Sequence, residues 1–480
     1  MRKTKIVCTL GPASSNEEVM EKMLIAGMNV ARFNFSHGTH ENHGKTIDMF
    51  RRVRDRLGVP AAVMLDTKGP EIRIKDIKNG KAMLKTGDTF TITTRDILGN
   101  SSEAPINYPD LPKHDLKPGQ RILIDDGNIE LEVISHTDTD ILCRIIDGGY
   151  ISTHKSLNLP NLHLDIPFLS EQDKSDLLFG VEKDVDFIAA SFVRCAEDVI
   201  SLRKFLDYHG AHKIKIISKI ENAEGVDNFA EILEASDGIM VARGDMGVEI
   251  AFERLPGIQK KFIRQCYQAG KMVITATQML ESMLHNYMPT RAEITDVANA
   301  VFDGTSAVML SGETTVGDYP VRVVEVMSHI VEQAENDAID LGSYKGFRHT
   351  DDHESITNAI CDAACTTAAD MNAKAILTAT ESGYTARLCS KFRPSVPIIA
   401  ATPCEKTFHQ LALSWGVYPV LSLYQSDADK LMRHAVDCAK QIDMVSNGDR
   451  VVITAGIPLD TPGNTNILKV QTVGDIEEVY

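Results

Sequence analysis

The sequence has no long apolar run. None of its 480 residues form a stretch near the ~18 residues that a membrane-spanning helix needs. The N-terminal stretch MRKTKIVCTL lacks the apolar core and the cleavage site of a secretory signal peptide. An apolar fraction of 43% and a charged fraction of 24% are typical of a soluble globular protein. We therefore expect a cytoplasmic protein that does not bind membranes.

Paired cysteines and excess positive charge are also missing. The nine cysteines include no Cys-x-x-Cys pair, which argues against a zinc site and a disulfide framework. Lys and Arg number 50 against 67 Asp and Glu, which gives a net charge of -17. Such a charge repels nucleic acids. An anionic substrate must therefore be captured by local positive charge, metal ions or helix N-termini.

Two common nucleotide-binding motifs are absent. The sequence contains neither a G-x-x-x-x-G-K-[ST] loop nor the protein-kinase signatures, so nucleotide binding of those two kinds is excluded. No low-complexity tract is present either. The chain is too long for one ordinary domain, and we expect two or three.

Eight short apolar segments each lead into a polar or glycine-rich turn and then a helical pattern. This alternation predicts a closed (β/α)8 barrel, formed by residues 1–69 and 168–345. The segments are TKIVCTLGP (4–12), MNVARFNFSHG (28–38), AAVMLDTKGP (61–70), VDFIAASFV (185–193), IKIISKIEN (214–222), GIMVARGD (238–245), KMVITATQM (271–279) and SAVMLSGE (306–313).

Two other stretches differ from this alternation. Residues 70–167 alternate apolar and polar positions, and RILIDDGNIELEVI (121–134) has the form of two strands around an Asp-Gly turn. We predict an inserted β lid domain there, in the form of a small barrel. Residues 346–480 restart with a helical pattern and the strands AKAILTAT, VPIIAAT, VYPVL and VVITAG. They predict a C-terminal doubly wound α/β domain.

Unusual polar residues collect where most of the predicted barrel strands end. Catalytic groups of (β/α)8 barrels come from those carboxyl ends, so this co-location predicts an active site. Each residue alone also has a structural explanation, such as an ion pair, a helix cap or a turn. The residues are Arg32, Asn34, Ser36, His37, Asp66, Thr67, Lys68, Glu71, Arg73, Lys219, Glu221, Arg243, Asp245, Thr275, Thr277, Gln278, Ser311 and Glu313.

The residue types indicate the chemistry. Glu221 and Asp245 have few other acids beside them, which suits Mg²⁺ held by one or two protein oxygens. A lysine beside that metal, Lys219, can neutralise a phosphoryl group or a developing enolate, and Arg32 can hold phosphate. Hydroxyls at Thr277 and Ser311 could relay a proton. His37, His40 and His43 are interpreted as solvent-facing or capping residues.

Several long motifs resemble those of one enzyme family. The stretches IISKIENAEGV, IMVARGDMGVEI, ITATQMLESM, PTRAEITDVANAVFDGTSAVMLSGET and LDTKGPEIR are similar to pyruvate kinase, and the resemblance runs essentially end to end. It implies a phosphotransferase that moves the phosphoryl group of phosphoenolpyruvate to ADP. The resulting enolate is protonated at carbon, giving pyruvate and ATP in the final step of glycolysis.

The resemblance also implies roles for individual residues. Lys219 would stabilise the phosphoryl group and the enolate, Arg32 would bind phosphate, and Thr277 would belong to the proton relay. Glu221 and Asp245 would bind Mg²⁺ or Mn²⁺. The implied potassium site consists of Asn34, Ser36, Asp66 and Thr67. The segment that would bind the substrate carboxylate consists of Ala242, Arg243, Gly244 and Asp245. The implied nucleotide contacts are Asn34, His37, Arg73 and Asp126. Glu71 is the residue type associated with a need for K⁺.

The third domain contains a further motif, TATESGYTARLCSKFRP. Its residues Thr380, Ser382, Gly383 and Thr385 fall between a predicted strand and helix and resemble the family's allosteric sugar-phosphate loop. Glu381 stands where some fructose-1,6-bisphosphate-activated members carry lysine. That acid argues against a bisphosphate effector. The remaining possibilities are a sugar monophosphate, AMP or no effector. Family members are commonly homotetramers, and the resemblance implies one here.

Two other functions remain open at this point. One is a magnesium-dependent lyase that stabilises an enolate on a related barrel, or a variant that uses Lys219 as a Schiff base. The other is a catalytically inactive sugar-phosphate sensor that uses the third-domain loop.

Overall fold

The structure is a computed structural model that describes residues 1–160, 162, 166–342, 355–459 and 463–474. Its first segment alternates strands and helices. The elements are β1 (Lys5–Thr9), α1 (Glu17–Ala26), β2 (Val30–Asn34), α2 (His40–Leu57) and β3 (Ala62–Asp66).

The next segment consists of short strands. They are β4 (Ile72–Arg73), β5 (Lys81–Leu84), β6 (Thr89–Thr93), β7 (Glu103–Pro105), β8 (Arg121–Ile124), β9 (Ile129–His136), β10 (Asp140–Asp147), β11 (Gly149–Ser152) and β12 (Ser156–Asn158). Seven of them form a sheet in the order β4-β12-β8-β9-β10-β6-β7, and β11 pairs with β5. The sheet is open, whereas a small barrel was predicted. Strands β8 and β9 are antiparallel, as the Asp-Gly turn predicts.

The strand–helix alternation then resumes. The elements are α3 (Glu171–Glu182), β13 (Phe187–Ala190), α4 (Ala196–Tyr208), β14 (Lys215–Ile220), α5 (Ala223–Asp227), α6 (Phe229–Ala235), β15 (Gly238–Ala242), α7 (Arg243–Glu249), α8 (Leu255–Gln268), β16 (Met272–Ala276), α9 (Arg291–Phe302), β17 (Ala307–Leu310), α10 (Gly312–Thr315) and α11 (Pro320–Asp340). Eight parallel strands close in the order β1-β17-β16-β15-β14-β13-β3-β2, which confirms the (β/α)8 barrel.

The barrel strands explain why the apolar segments are nearly continuous. Both faces of each strand are buried, one inside the barrel and one under the helices. Val7, Met64, Ile217 and Met240 belong to the inner cluster, whereas Ile6 and Ile216 pack in the outer one. Because all eight strands are parallel, their carboxyl ends lie on the same rim of the barrel.

The last described segment forms a separate α/β domain. Its elements are α12 (Ile356–Asp370), β18 (Ala375–Ala379), α13 (Tyr384–Lys391), β19 (Ile398–Thr402), α14 (Glu405–Gln410), β20 (Val417–Leu421), α15 (Ala428–Gln441), β21 (Arg450–Ala455) and β22 (Ile467–Thr472). The sheet order is β20-β19-β18-β21-β22, and β22 is antiparallel to β21. The predicted boundary between residues 345 and 346 lies outside the described residues. No helix within the described ranges is both long and apolar enough to cross a bilayer.

Candidate functional site

Five charged side chains meet at the carboxyl rim of the barrel, and we call them the rim cluster: Arg32, Asp66, Lys219, Glu221 and Asp245. Asp66 lies at its centre and is buried. Arg32 Nε donates to Asp66 Oδ2 at 2.6 Å, and Lys219 Nζ donates to Oδ1 at 3.0 Å. Burial alone would raise the pKa of Asp66, but the charges of Arg32 and Lys219 outweigh it and hold this pKa below its usual value. Asp66 is therefore ionised and orients both cations.

Lys219 and Glu221 also contact each other directly. Lys219 Nζ lies 3.0 Å from Glu221 Oε1, and Glu221 Oε2 accepts a hydrogen bond of 2.7 Å from the Phe192 N–H. Burial opposes the charge of Lys219, yet Asp66 and Glu221 raise its pKa above the usual value. Lys219 is therefore protonated. The i, i+2 spacing does produce an ion pair, but one shared with the rest of the rim cluster.

The two candidate metal ligands lie side by side. Burial raises the pKa of Glu221 to about 7, with Asp245 and Asp66 adding to the effect and Lys219 opposing it. Burial likewise raises the pKa of Asp245, whose carboxyl is within hydrogen-bonding range of Glu221. The rim cluster holds three carboxyl groups against two cations. A proton or a bound cation must therefore balance the third carboxylate.

This donor set fits a hard divalent cation. Both ligands are carboxylates, which Mg²⁺ and Mn²⁺ prefer, and no thiol or imidazole belongs to the pair. Within the described ranges, no group of three or more His, Cys, Asp or Glu side chains could enclose a metal ion. An ion held by Glu221 and Asp245 would keep open positions, which water and substrate oxygens would fill.

Thr277 lies just beyond β16 in a strained backbone conformation. Its φ is +68° and that of Gln278 is +56°, which is uncommon outside glycine and costly for a β-branched residue. The Thr277 hydroxyl donates to the Ala276 carbonyl at 2.6 Å and accepts from the Gly244 N–H at 3.0 Å. It is therefore held against the backbone of the segment that precedes Asp245.

The Arg243 side chain points to the turn that contains Thr277. Its guanidinium donates to the Thr277 carbonyl at 2.6 Å and to Asp296 at 2.7 and 2.9 Å. Of the predicted carboxylate-binding segment, only the backbone and Asp245 are therefore available to a ligand. The Arg243 side chain instead fixes the strained Thr277 turn.

The predicted potassium residues lie at or just beyond the ends of the adjacent strands β2 and β3. Asn34 is opposite Asp66 in the register of β2 and β3, and Asn34 Oδ1 accepts from the Ser36 N–H at 3.1 Å. Thr67 Oγ1 accepts from the Ser191 N–H at 3.1 Å. Each of the four residues can offer an oxygen ligand to a metal ion, as an alkali cation requires.

Two of the three histidines after β2 are not simple solvent-facing or capping residues, whereas His37 is exposed. His43 Nε2 is 2.7 Å from the His37 carbonyl oxygen, and the His43 ring stacks on Phe35. His40 Nε2 is 2.6 Å from Asp176 Oδ1. The cap of α2 is Thr39. That interpretation was wrong for His40, whose partner Asp176 is 136 residues away, and for His43, whose ring stacks on Phe35.

Arg73, Asp126 and Ser311 make no hydrogen bond to the rim cluster within the described part of the chain. Arg73 pairs with Glu71 at 2.6 Å. Asp126 lies in the β8–β9 turn, which lines a cleft of about 1420 Å³ together with residues of α7. Ser311 donates its backbone N–H to Glu313 at 2.7 Å. Asp126 is nevertheless close enough for its charge to raise the pKa of Asp245.

Two residues of the site were missed by the sequence analysis. Thr9 ends β1 and accepts from Arg32 at 2.8 Å, and Ser191 follows β13 and accepts from Lys219 Nζ at 2.7 Å. Both lie at carboxyl ends of barrel strands. The rule that identified the other residues would have found them had it been applied to the first and fourth strands.

The third-domain loop lines a second cavity of about 660 Å³. Thr380 Oγ1 accepts from the Gly383 N–H at 3.0 Å, and Gly383 has a φ of +77°. Thr385 instead bonds to Thr465 Oγ1 at 2.6 Å. Arg387 also lines the cavity, its pKa is lowered by burial, and among the described residues it has no ion-pair partner. Such a cation favours an anionic ligand.

Comparisons with known proteins agree with this geometry. Residues 1–324 match the family model for the pyruvate kinase barrel domain, and residues 358–471 match that for the pyruvate kinase alpha/beta domain. The chain is 48% identical to a pyruvate kinase of Clostridium acetobutylicum over 98% of this chain and 100% of that one.

Two more comparisons agree. A pyruvate kinase of Staphylococcus haemolyticus is 50% identical over 99% of this chain and 81% of the relative. A solved pyruvate kinase of Cryptosporidium parvum superposes with a TM-score of 0.91 at 41% identity, covering 98% of this chain and 96% of that one. The chain therefore belongs to the pyruvate kinase family of phosphotransferases.

Proposed function

We propose that this chain transfers the phosphoryl group of phosphoenolpyruvate to ADP at the rim cluster, giving pyruvate and ATP. The observation that carries the proposal is the protonated Lys219 beside the adjacent carboxyl groups of Glu221 and Asp245. A lactate-dehydrogenase-coupled assay of the pure protein tests it. Pyruvate formation should need both ADP and Mg²⁺, and no signal would contradict the proposal.

Glu221 and Asp245 would hold Mg²⁺ or Mn²⁺. When bound, such an ion supplies positive charge to the oxygens of the phosphoryl group and the enolate. The excess carboxylate of the rim cluster supports this assignment, because a cation would replace the proton that burial otherwise favours.

Lys219 and Arg32 would act on the substrate anion. Lys219 remains charged and can donate hydrogen bonds to the transferred phosphoryl group and then to the enolate oxygen. Asp66 and Ser191 hold its ammonium group, while Asp66 and Thr9 hold the Arg32 guanidinium. These partners reduce the reorganisation that the reaction requires.

Thr277 is the better placed of the two candidate proton-relay residues. Its hydroxyl already bridges two backbone groups beside Asp245, and its turn is fixed by Arg243. It could pass a proton toward the enolate carbon from that position. Ser311 would take part only through a bridging water or substrate. The backbone from Ala242 to Asp245 would receive the substrate carboxylate.

The nucleotide would bind on the lid side of the rim, contacting Asn34, His37, Arg73 and Asp126. Asp126 lines an open cleft together with residues of α7, which supports a lid that closes over the nucleotide. Closure would exclude water from the transfer of a labile phosphoryl group.

Asn34, Ser36, Asp66 and Thr67 would bind K⁺. We expect Glu71→Lys to weaken the K⁺ requirement, since a lysine would supply positive charge beside the rim. Glu71 is half-buried and its charge is shared with Arg73, so Glu71→Gln is the matched control that removes the carboxylate without adding a cation. Stimulation by K⁺ should fall about tenfold in Glu71→Lys, or ~1.4 kcal/mol of transition-state stabilisation. Equal K⁺ titrations in both variants would refute the charge argument.

A regulatory anion would bind at Thr380, Ser382, Gly383 and Thr385, with Arg387 as its counter-ion. We propose a sugar monophosphate or AMP, because Glu381 would repel a second phosphate. At limiting phosphoenolpyruvate, one of these compounds should activate the protein, and Arg387→Met should abolish the response. Arg433→Met, an exposed change on α15, should retain it. A protein that responds to none of them would contradict this proposal.

We also propose a homotetramer in the cytoplasm, where its metabolite substrates are found. Two surfaces are suited to contact copies of the chain, as two-fold symmetric tetramers require. One is an exposed apolar patch that includes Tyr287, Met288 and Val316, and the other is the edge of the sheet at β22. A light-scattering mass of four chains would support it, and a monomer mass would contradict it.

The lyase and sensor alternatives are less well supported. A Schiff-base lysine must be neutral to attack a carbonyl, whereas its neighbours raise the pKa of Lys219. Borohydride trapping of a carbonyl substrate on Lys219 would nevertheless support the Schiff-base hypothesis. A sensor would have no need of the complete rim cluster.

A further inference from the structure

The first connection into the lid packs directly on the catalytic rim. Gly69 has a φ of +72°, and a Cβ there would lie 2.9 Å from both the Cβ and the carbonyl oxygen of Ser191. It would also lie 3.1 Å from the Phe192 ring. The start of the lid therefore has no free space between itself and the Ser191–Phe192 segment.

That segment holds two residues of the rim cluster. Ser191 Oγ accepts from Lys219 Nζ at 2.7 Å, and the Phe192 N–H donates to Glu221 Oε2 at 2.7 Å. Phe192 has a φ of +56°, a costly conformation for a bulky residue. A displacement of this segment would therefore move the hydrogen-bond partners of both Lys219 and Glu221.

One buried carboxylate bonds to both connections of the lid. Asp173, on the first turn of α3, is 1% exposed. Its Oδ1 accepts from the Gly69 N–H at 3.0 Å. Its Oδ2 accepts from the Ser170 N–H at 3.1 Å and from the Ser170 hydroxyl at 2.5 Å. Gly69 precedes the lid and Ser170 follows it.

Helix capping explains only half of this arrangement. Ser170 and Asp173 form a capping box, which accounts for the bonds to Oδ2. The bond from Gly69 to Oδ1 spans 104 residues and adds nothing to the helix end. It joins the two lid connections to each other through a charge-assisted contact, which is stronger than a neutral hydrogen bond.

We propose that Asp173 is a positioning residue that ties the two lid connections together, holds Gly69 against the Ser191–Phe192 segment and thereby sets the geometry of Lys219 and Glu221. This inference rests on the proposed function, because it uses the roles assigned to those two residues. It links the position of the lid to the reacting groups through Gly69, without any contact between Asp173 and substrate.

Asp173→Asn tests the inference. Asparagine has a single acceptor oxygen, so either the Gly69 or the Ser170 N–H loses its partner. We expect kcat to fall about 10- to 100-fold, because small displacements of reacting groups have effects of that size. The Km for ADP should change much less. Hydrogen exchange should increase in peptides covering residues 66–72 and 188–195.

Two control variants separate positioning from helix stability. Glu171→Gln removes another carboxylate from the same helix turn and should behave as wild type. Ser170→Ala removes the capping hydroxyl but leaves the Gly69 bond, so kcat should stay within about twofold while the melting temperature falls. A Ser170→Ala variant as slow as Asp173→Asn would overturn the inference, because helix capping would then explain both.

Gly69→Ala tests the same contact from the other side and retains the helix cap. If Asp173→Asn does not fold, a fall in kcat with faster exchange of residues 188–195 in Gly69→Ala still supports the inference, and normal turnover overturns it. The exchange readout does not depend on what Lys219 does. An active Lys219→Met would therefore contradict the proposed function, whereas unchanged exchange at 188–195 in Asp173→Asn contradicts the positioning role.

Discussion

Replacing Lys219 with methionine is expected to lower kcat by about 10³-fold or more, since removing even one uncharged donor to a developing anion costs ~10²- to 10³-fold. Methionine has a similar length but cannot donate a hydrogen bond or neutralise charge. Losing the partner of two buried carboxylates costs stability. Burial raises the pKa of Glu221 and Asp245, so protonation can balance the lost charge and we expect the variant to fold. Steady-state kinetics with phosphoenolpyruvate and ADP measure the effect.

The matched control is Lys260→Met on α8. Lys260 is exposed and pairs with the half-buried Asp303, which does not belong to the rim cluster, so its loss removes one positive charge outside that cluster. Its kcat should equal that of the wild type. Near-normal turnover in Lys219→Met would show that the role assigned to Lys219 is wrong.

Glu221→Gln is expected to lower the affinity for Mg²⁺ at least about 100-fold, because even changes outside the first coordination shell cost ~10- to 100-fold. The amide removes one of two charged ligands and leaves Asp245 alone. Activity should then require far more Mg²⁺. Magnesium titrations of activity measure the shift, and Glu234→Gln, an exposed change on α6, is the control.

The same residue gives a pH dependence. Because burial raises the pKa of Glu221 to about 7, a proton competes with the metal below that pH. The Mg²⁺ affinity of the wild type should therefore rise as the pH increases through 7. The rise should be much smaller in Glu221→Gln. A wild-type affinity that is flat between pH 6 and 8 would contradict the competition.

The barrel and the location of its site could be predicted because both depend on local patterns. Each barrel strand is an apolar segment with a polar end, and parallel closure places those ends together. Lys219 and Glu221 were found in this way. The form of the lid could not be predicted, since alternation predicts strands but does not decide whether a sheet closes, and the lid sheet is open at β4 and β7.

The directions of individual side chains could not be predicted. Arg243 precedes the Gly-Asp pair of the site, yet Asp296, 53 residues away, draws its guanidinium toward the Thr277 turn. His40 pairs with Asp176 across 136 residues. Asp173 resembles an ordinary capping-box acid, and only the distant Gly69 shows its second role. In each case the decisive partner is remote in sequence.

Equilibrium binding of Mn²⁺, measured by electron paramagnetic resonance, tests the division of roles between Glu221 and Lys219 most directly. The wild type and the slow Lys219→Met variant should both bind the ion, the variant as tightly or more tightly, because it lacks the ammonium group that competes for Glu221. Glu221→Gln should lose most of this binding. Loss of binding in Lys219→Met, or retention of it in Glu221→Gln, would contradict the separation of metal binding from phosphoryl stabilisation.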